Sequence, residues 1–142
     1  MNKIDLKSTL SKLKSNLKAD WIGLREVKET TTYRIIKDLI PASNNVSIDH
    51  GVMVEVLVNG QLGYCGTHNI SYDAIKRAAN KAYNQAFNAS KYSIYPFTES
   101  VRPKSVGEYK SPCMIKEMPL DELMDILLES NKTLRKSEKV VS

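Results

Sequence analysis

The sequence is poor in the residues that grip metals, with two histidines, His50 and His68, and two cysteines, Cys65 and Cys113. A hydrolytic zinc site takes about three protein ligands and an open position for water. The two histidines stand eighteen positions apart, neither has a second histidine three or four residues away, and no H-E-x-x-H pair occurs. Both read as loop residues, His50 before Gly51 at a strand start and His68 between a hairpin and a helix. Two cysteines make no disulfide framework, which leaves a reducing compartment as the default. No apolar run approaches the roughly 18 residues of a spanning helix. The start, Met1-Asn2-Lys3-Ile4-Asp5-Leu6-Lys7, lacks the apolar block of a signal peptide, so a cytoplasmic location is expected.

Nucleotide and nucleophile motifs are missing too. There is no G-x-x-x-x-G-K-[ST] loop and no G-x-G-x-x-G turn, and Ser71, Ser90 and Ser111 lie outside any G-x-S-x-G elbow. Asp121 and Asp125 sit at i,i+4 on a leucine-backed helix and read as surface charge. The expected set of catalytic, cofactor-binding and metal-binding residues in this chain is therefore empty.

What is present suits a folded domain. The 142 residues are 42% hydrophobic and 26% charged, near the globular average, and wholesale disorder is excluded. One domain over 1–142 is expected, with a core at 1–92, an extended connector at 93–118, and a helix with the start of a strand at 119–142. The net charge of +5 is dispersed, with +4 in residues 1–18, −2 in 19–70, and +3 in each of 71–92 and 100–116. A nucleic-acid groove would combine clustered Arg and Lys with interleaved aromatics, and this charge reads instead as solvated helix faces. Binding of nucleic acid through those basic faces is the weakest of three functional readings; it requires an affinity that falls steeply with salt.

Leu6, Leu10, Leu13 and Leu17 form one apolar stripe and predict a first helix. Trp21–Val27 and Thr30–Ile36 are rich in β-branched and aromatic residues and read as two adjacent strands. Pro41-Ala42-Ser43-Asn44-Asn45 is turn chemistry, with a short strand at Val46–Ile48 after it. Val52, Val54, Val56 and Val58 then alternate up to Asn59-Gly60, the dipeptide of a type I′ hairpin. A two-residue loop pairs Val58 with Gln61, Leu57 with Leu62, Val56 with Gly63, and Val54 with Cys65. That register buries the valine face and makes Cys65 a small core thiol, without the positive setting a reactive thiolate needs. Ser71 reads as the N-cap of a second helix with Asp73 near its positive end, and with Ile75, Ala78, Ala79, Ala82, Ala86 and Phe87 on a narrow apolar face. Pro119 opens a third helix whose buried side is marked by Leu120, Leu123, Leu127 and Leu134, and Val140-Val141-Ser142 reads as a beginning strand. The fold class is α+β, an antiparallel sheet of about four to five strands with helices on one face.

The ordered set Gly51-Val52-Met53-Val54-Glu55-Val56-Leu57-Val58-Asn59-Gly60-Gln61-Leu62-Gly63-Tyr64, Asn69-Ile70-Ser71 before an alanine-rich helix, and Gly107-Glu108-Tyr109-Lys110-Ser111-Pro112 resembles the N-terminal domain of the TldD/PmbA family. Ala19-Asp20-Trp21 and Glu138-Lys139-Val140-Val141-Ser142 fit the same pattern, whereas Ile40 to Asp49 is not a close match. These are zinc metalloproteases also described as modulators of DNA gyrase. The resemblance implies a non-catalytic domain, with zinc held by an H-E-x-x-x-H helix and a cysteine in a C-terminal catalytic part. It further implies assembly as a homo- or hetero-dimer and unfolded peptides as substrate, with no membrane partner. A second reading, of a different class, is a freestanding module that captures extended peptide on an exposed strand edge.

Overall fold

The computed structural model describes residues 4–102, 104–110 and 118–136. Three helices and three strands follow one another in the order α1 (Leu6–Asn16), β1 (Trp21–Lys37), β2 (Ile40–Val58), β3 (Gln61–Thr67), α2 (Tyr72–Ser90) and α3 (Leu120–Leu134). The strands form one sheet in the order β1-β2-β3. The α+β class is as expected, with three long strands instead of four or five.

The difference has a local cause. Trp21–Val27 and Thr30–Ile36 belong to one uninterrupted 17-residue strand, and Pro41–Asn45 and Val46–Ile48 both belong to the 19-residue β2. The chain reverses at Asp38-Leu39, whose φ angles of 52° and 65° put both residues in the left-handed region. Two consecutive left-handed residues match the twist of flanking strands, which is why such turns close hairpins. Asp38 tolerates that geometry; Leu39 adopts it at a cost. Pro41 is accommodated because β3 pairs only with Val52–Val58, leaving the other side of β2 open around Ile40–Gly51 among the described residues.

The second hairpin follows the sequence-derived register pair for pair: Val58 with Gln61, Leu57 with Leu62, Val56 with Gly63, Glu55 with Tyr64, Val54 with Cys65. Asn59 and Gly60 supply positive φ of 48° and 76°. The valine face carries the core. Val52, Val54, Val56 and Val58 are buried together with Leu13 of α1, Ile22 of β1, and Ile75, Ala78, Ala79, Ala82 and Ala86 of α2. Alanines at i, i+4 and i+8 leave α2 a flat ridge, and Gly63 opposite it has no side chain. A Cβ on Gly63 would collide with the Ala82 carbonyl oxygen and come within 3.0 Å of the Ala86 nitrogen. Small residue meets small residue, and helix backbone rests on strand backbone.

Caps fix where the helices begin. Asp5 accepts the Ser8 N–H at 3.0 Å, and Ser71 accepts the Ala74 N–H at 3.4 Å as expected from sequence. Before α2 a polar ladder aims the chain: Thr67 Oγ1 accepts from Asn69 N–H at 3.2 Å and Asn69 Oδ1 accepts from Ser71 N–H at 2.9 Å.

Contacts divide the chain into two compact units, Met1–Glu29 with Ile48–Ser105, and Thr30–Ser47 with Val106–Ser142. The first holds the core. In the second, α3 begins after Pro119, yet none of its residues is buried. Leu123 and Leu127 are half-covered, while Leu120 and Leu134 are exposed, so the expected leucine stripe is only partly packed. Asn131 Oδ1 of α3 accepts the Leu39 N–H at 3.0 Å, and Arg135 lies 3.7 Å from Asp38, which ties the helix end to the β1–β2 turn. The strand read at Val140–Ser142, together with Ser111, Cys113 and part of the Gly107–Pro112 segment, lies outside the described residues.

Candidate functional site

The chemistry-bearing residues do not converge. His50 is a strand residue, contrary to the loop expected, because β2 begins at Ile40 and not at Gly51. Its Nε2 lies 2.8 Å from Glu26 Oε1 on β1, and both side chains are about three-quarters covered, at 23% and 28% exposure. His68 falls in the exposed bend after β3, as expected. Cys65 sits half-buried opposite Val54 and packs against the core cluster, its thiol 3.8 Å from the Gly66 carbonyl oxygen. This is the small core thiol foreseen from the register. Ser71 caps a helix and Ser90 donates to the Phe87 carbonyl at 2.8 Å, so both hydroxyls have structural work. Asp121 and Asp125 are exposed on α3.

Zinc finds no fit among the described residues. Among the described residues no group of three or more His, Cys, Asp and Glu side chains is placed to hold a metal ion. The histidine nearest to a carboxylate spends one ring nitrogen on Glu26, and a single imidazole–carboxylate pair falls short of the three ligands a zinc centre needs.

The polar cluster that the fold does assemble lies on the sheet face opposite the valines. Alternation along β2 places Met53, Glu55 and Leu57 there, and the register sets Glu55 beside Tyr64. Residues 93–102, part of the stretch 93–118 expected as an extended connector, attach first at the β2–β3 turn and reach this face at Arg102. Gln61 Nε2 donates to Ser93 Oγ at 2.6 Å and to the Tyr95 carbonyl at 3.3 Å, and the Phe97 N–H donates to the Gly60 carbonyl at 2.8 Å. After one 3-10 turn at Glu99–Val101, Arg102 Nε meets Glu55 Oε1 at 2.7 Å and its Nη2 lies 3.4 Å from the Tyr64 hydroxyl. The hydrogen bond to Glu55, and then that to Tyr64, hold the Arg102 guanidinium above its ordinary pKa. The result is a clasp, since an arginine that stays charged at all working pH values neither gives nor takes a proton. Sequence reasoning missed it because its partners are 47 and 38 residues apart, with no periodicity to announce them.

Among the described residues no helix is long and apolar enough to cross a membrane. The structure thus defines a class: an α+β domain in which an alanine ridge on a helix packs against an antiparallel sheet. Residues 24–86 match the family model of PmbA/TldA metallopeptidase domain 1. The matched span runs from β1 through most of α2, a likeness consistent with an N-terminal domain of the TldD/PmbA family. No curated protein matches the chain at a significant level.

Proposed function

We propose that this chain is the non-catalytic first domain of a TldD/PmbA-like zinc metalloprotease acting on unfolded peptides, with zinc and peptide-bond cleavage supplied by a C-terminal catalytic part. The observation that carries the reading is the match of residues 24–86 to the first domain of that metallopeptidase family. It is supported by the lack of fit between zinc and the described side chains, since His50 answers Glu26 and Cys65 belongs to the core. The domain's part is architectural: a sheet packed by α1 and α2 on one face, with Arg102 clasped to Glu55 on the other.

The test is a peptidase assay on the purified chain with an unfolded protein substrate, with and without chelator, alongside elemental analysis for zinc. No chelator-sensitive cleavage and less than one tightly held zinc per molecule are expected. Cleavage by this chain alone that a chelator abolishes would refute the reading.

One observation favours a second reading, peptide capture by strand addition. The side of β2 at Ile40–Gly51 has no strand partner among the described residues, and Leu39–Ile48 contains no charged residue. Proteins usually protect open edges with charges or lysine, and an unprotected edge offers main-chain hydrogen bonds to an extended segment. Calorimetry against a panel of unfolded polypeptides decides it, and the absence of heat with every member dismisses it.

A further inference from the structure

Strand β2 is open along one side of Ile40–Gly51, because β3 ends opposite Val52 and no other described strand takes its place there. We propose that this edge pairs with itself, joining two copies of the chain antiparallel about a two-fold axis through Asn44. The inference uses the edge of the peptide-capture reading but rests neither on peptide capture nor on the family role.

The sequence of the edge is self-complementary. A two-fold axis at Asn44 sets Ile40 opposite Ile48 of the second copy, Ala42 opposite Val46, and Asn44 opposite itself. These positions alternate along the strand and so share a face. All of them are exposed, Ile40, Val46 and Ile48 at 66%, 53% and 61%, whereas Ser43 and Ser47 between them are half-buried. Aliphatic side chains therefore meet aliphatic ones, and the two Asn44 carboxamides, each both donor and acceptor, meet on the axis. Pro41 has no N–H to give, but it stands at the end of the ladder, away from the central pairs.

Charge selects a second copy as the occupant. Under two-fold pairing a charged residue at the axis faces its own like charge, which is destabilising. Leu39–Ile48 contains no charged residue, whereas the outer strand β1 carries Arg25, Glu26, Lys28, Glu29, Arg34 and Lys37, the protection that exposed edges commonly have. Length fits as well. Pairing takes Ile40–Ile48, and Asp49–Gly51 remain open beside the second copy's Asp38-Leu39 turn before β3 begins to pair at Val52. The axis uses the neutral edge of both copies at once, so association closes at two chains.

The test is sedimentation equilibrium of the chain at loading concentrations of about 1 μM to 1 mM. A reversible dimer is expected. Asn44→Lys sets two ammonium groups against each other on the axis and weakens the dimer by about tenfold or more, while circular dichroism is unchanged. Asn44→Cys reads the register: directly opposed Cα atoms lie about 4.5–5.5 Å apart, within disulfide range, so mild oxidation gives a covalent dimer. Asn45→Cys stands diagonally from its own copy at about 7–8 Å and cross-links no more than the unsubstituted chain, in which Cys65 and Cys113 set the background. The proposal is overturned by a chain that stays monomeric throughout, by a dimer that Asn44→Lys leaves intact, or by equal cross-linking of the two cysteine variants. A monomer that gives heat with unfolded polypeptides overturns it too, and leaves peptide capture standing.

Discussion

Replacing Gly63 by alanine tests whether α2 rests directly on the sheet backbone. The new Cβ would overlap the Ala82 carbonyl oxygen and stand 2.9 Å from the Ala82 carbonyl carbon and 3.0 Å from the Ala86 nitrogen. All three atoms are backbone, so no rotamer change relieves the collision, and the helix must move away from Val54 and Val56. Overpacking of this kind costs about 1–3 kcal/mol. Alanine in place of a strand glycine recovers roughly 0.5–1 kcal/mol of unfolded-chain entropy, so the collision wins by a modest margin. At about 4–8 °C per kcal/mol for a domain near 100 residues, a net loss on the order of 1 kcal/mol lowers Tm by about 4–8 °C. Gly66, on the same strand, is the control. A Cβ there meets only the Met53 methyl at 3.6 Å, ordinary contact, so Gly66→Ala is neutral or slightly stabilising. The comparison is read by thermal unfolding followed by circular dichroism. A Gly63→Ala variant as stable as Gly66→Ala would refute direct backbone packing.

Three further outcomes follow from the same contacts. Leu13→Ala, which empties a position with no solvent exposure under α2, lowers stability by about 2–5 kcal/mol in urea titration. Ser71→Ala removes the acceptor for the Ala74 N–H and costs about 1 kcal/mol by the same titration, while Ser71→Asp retains most of it. Lys132, through its 2.6 Å hydrogen bond and then its charge, holds the Glu129 carboxyl below the usual carboxylate range. A folded-state pKa below the unfolded one means that this pair supports α3 fully above the ordinary glutamate pKa and ceases to as pH falls through the lowered value. Carboxyl NMR titration shows the low midpoint, and Lys132→Ala returns it to the normal range.

How much was legible in the sequence varied from hairpin to hairpin. Four alternating valines and Asn59-Gly60 fixed the β2–β3 register to the residue, because both signals are local and agree. The β1–β2 turn was hidden: Leu39 is an unfavourable left-handed residue, and Pro41, Asn44 and Asn45 advertise a turn that the strand pairing overrides. The leucines of α3 gave the helix but not its degree of burial, since periodicity reports a face and not what covers it. Arg102 on Glu55 and His50 on Glu26 are long-range pairs, and nothing near either residue in the sequence points to the other. The expectation of no site residues rested on motif absence, a test that sees spacing and cannot see a long-range pairing such as Arg102 on Glu55.

Strand β2 is 19 residues long, whereas its partner β3 has seven. Amide protons near Val52–Val58 are hemmed in by ladders on two sides, and those nearer the Asp38-Leu39 bend by only one. Deuterium should therefore enter as a gradient, quickest beside the bend and slowest next to the valines. Melting of the ribbon would begin at the bend and stop at the valines, so its outer segment could loosen and re-form many times while the inner domain stays shut.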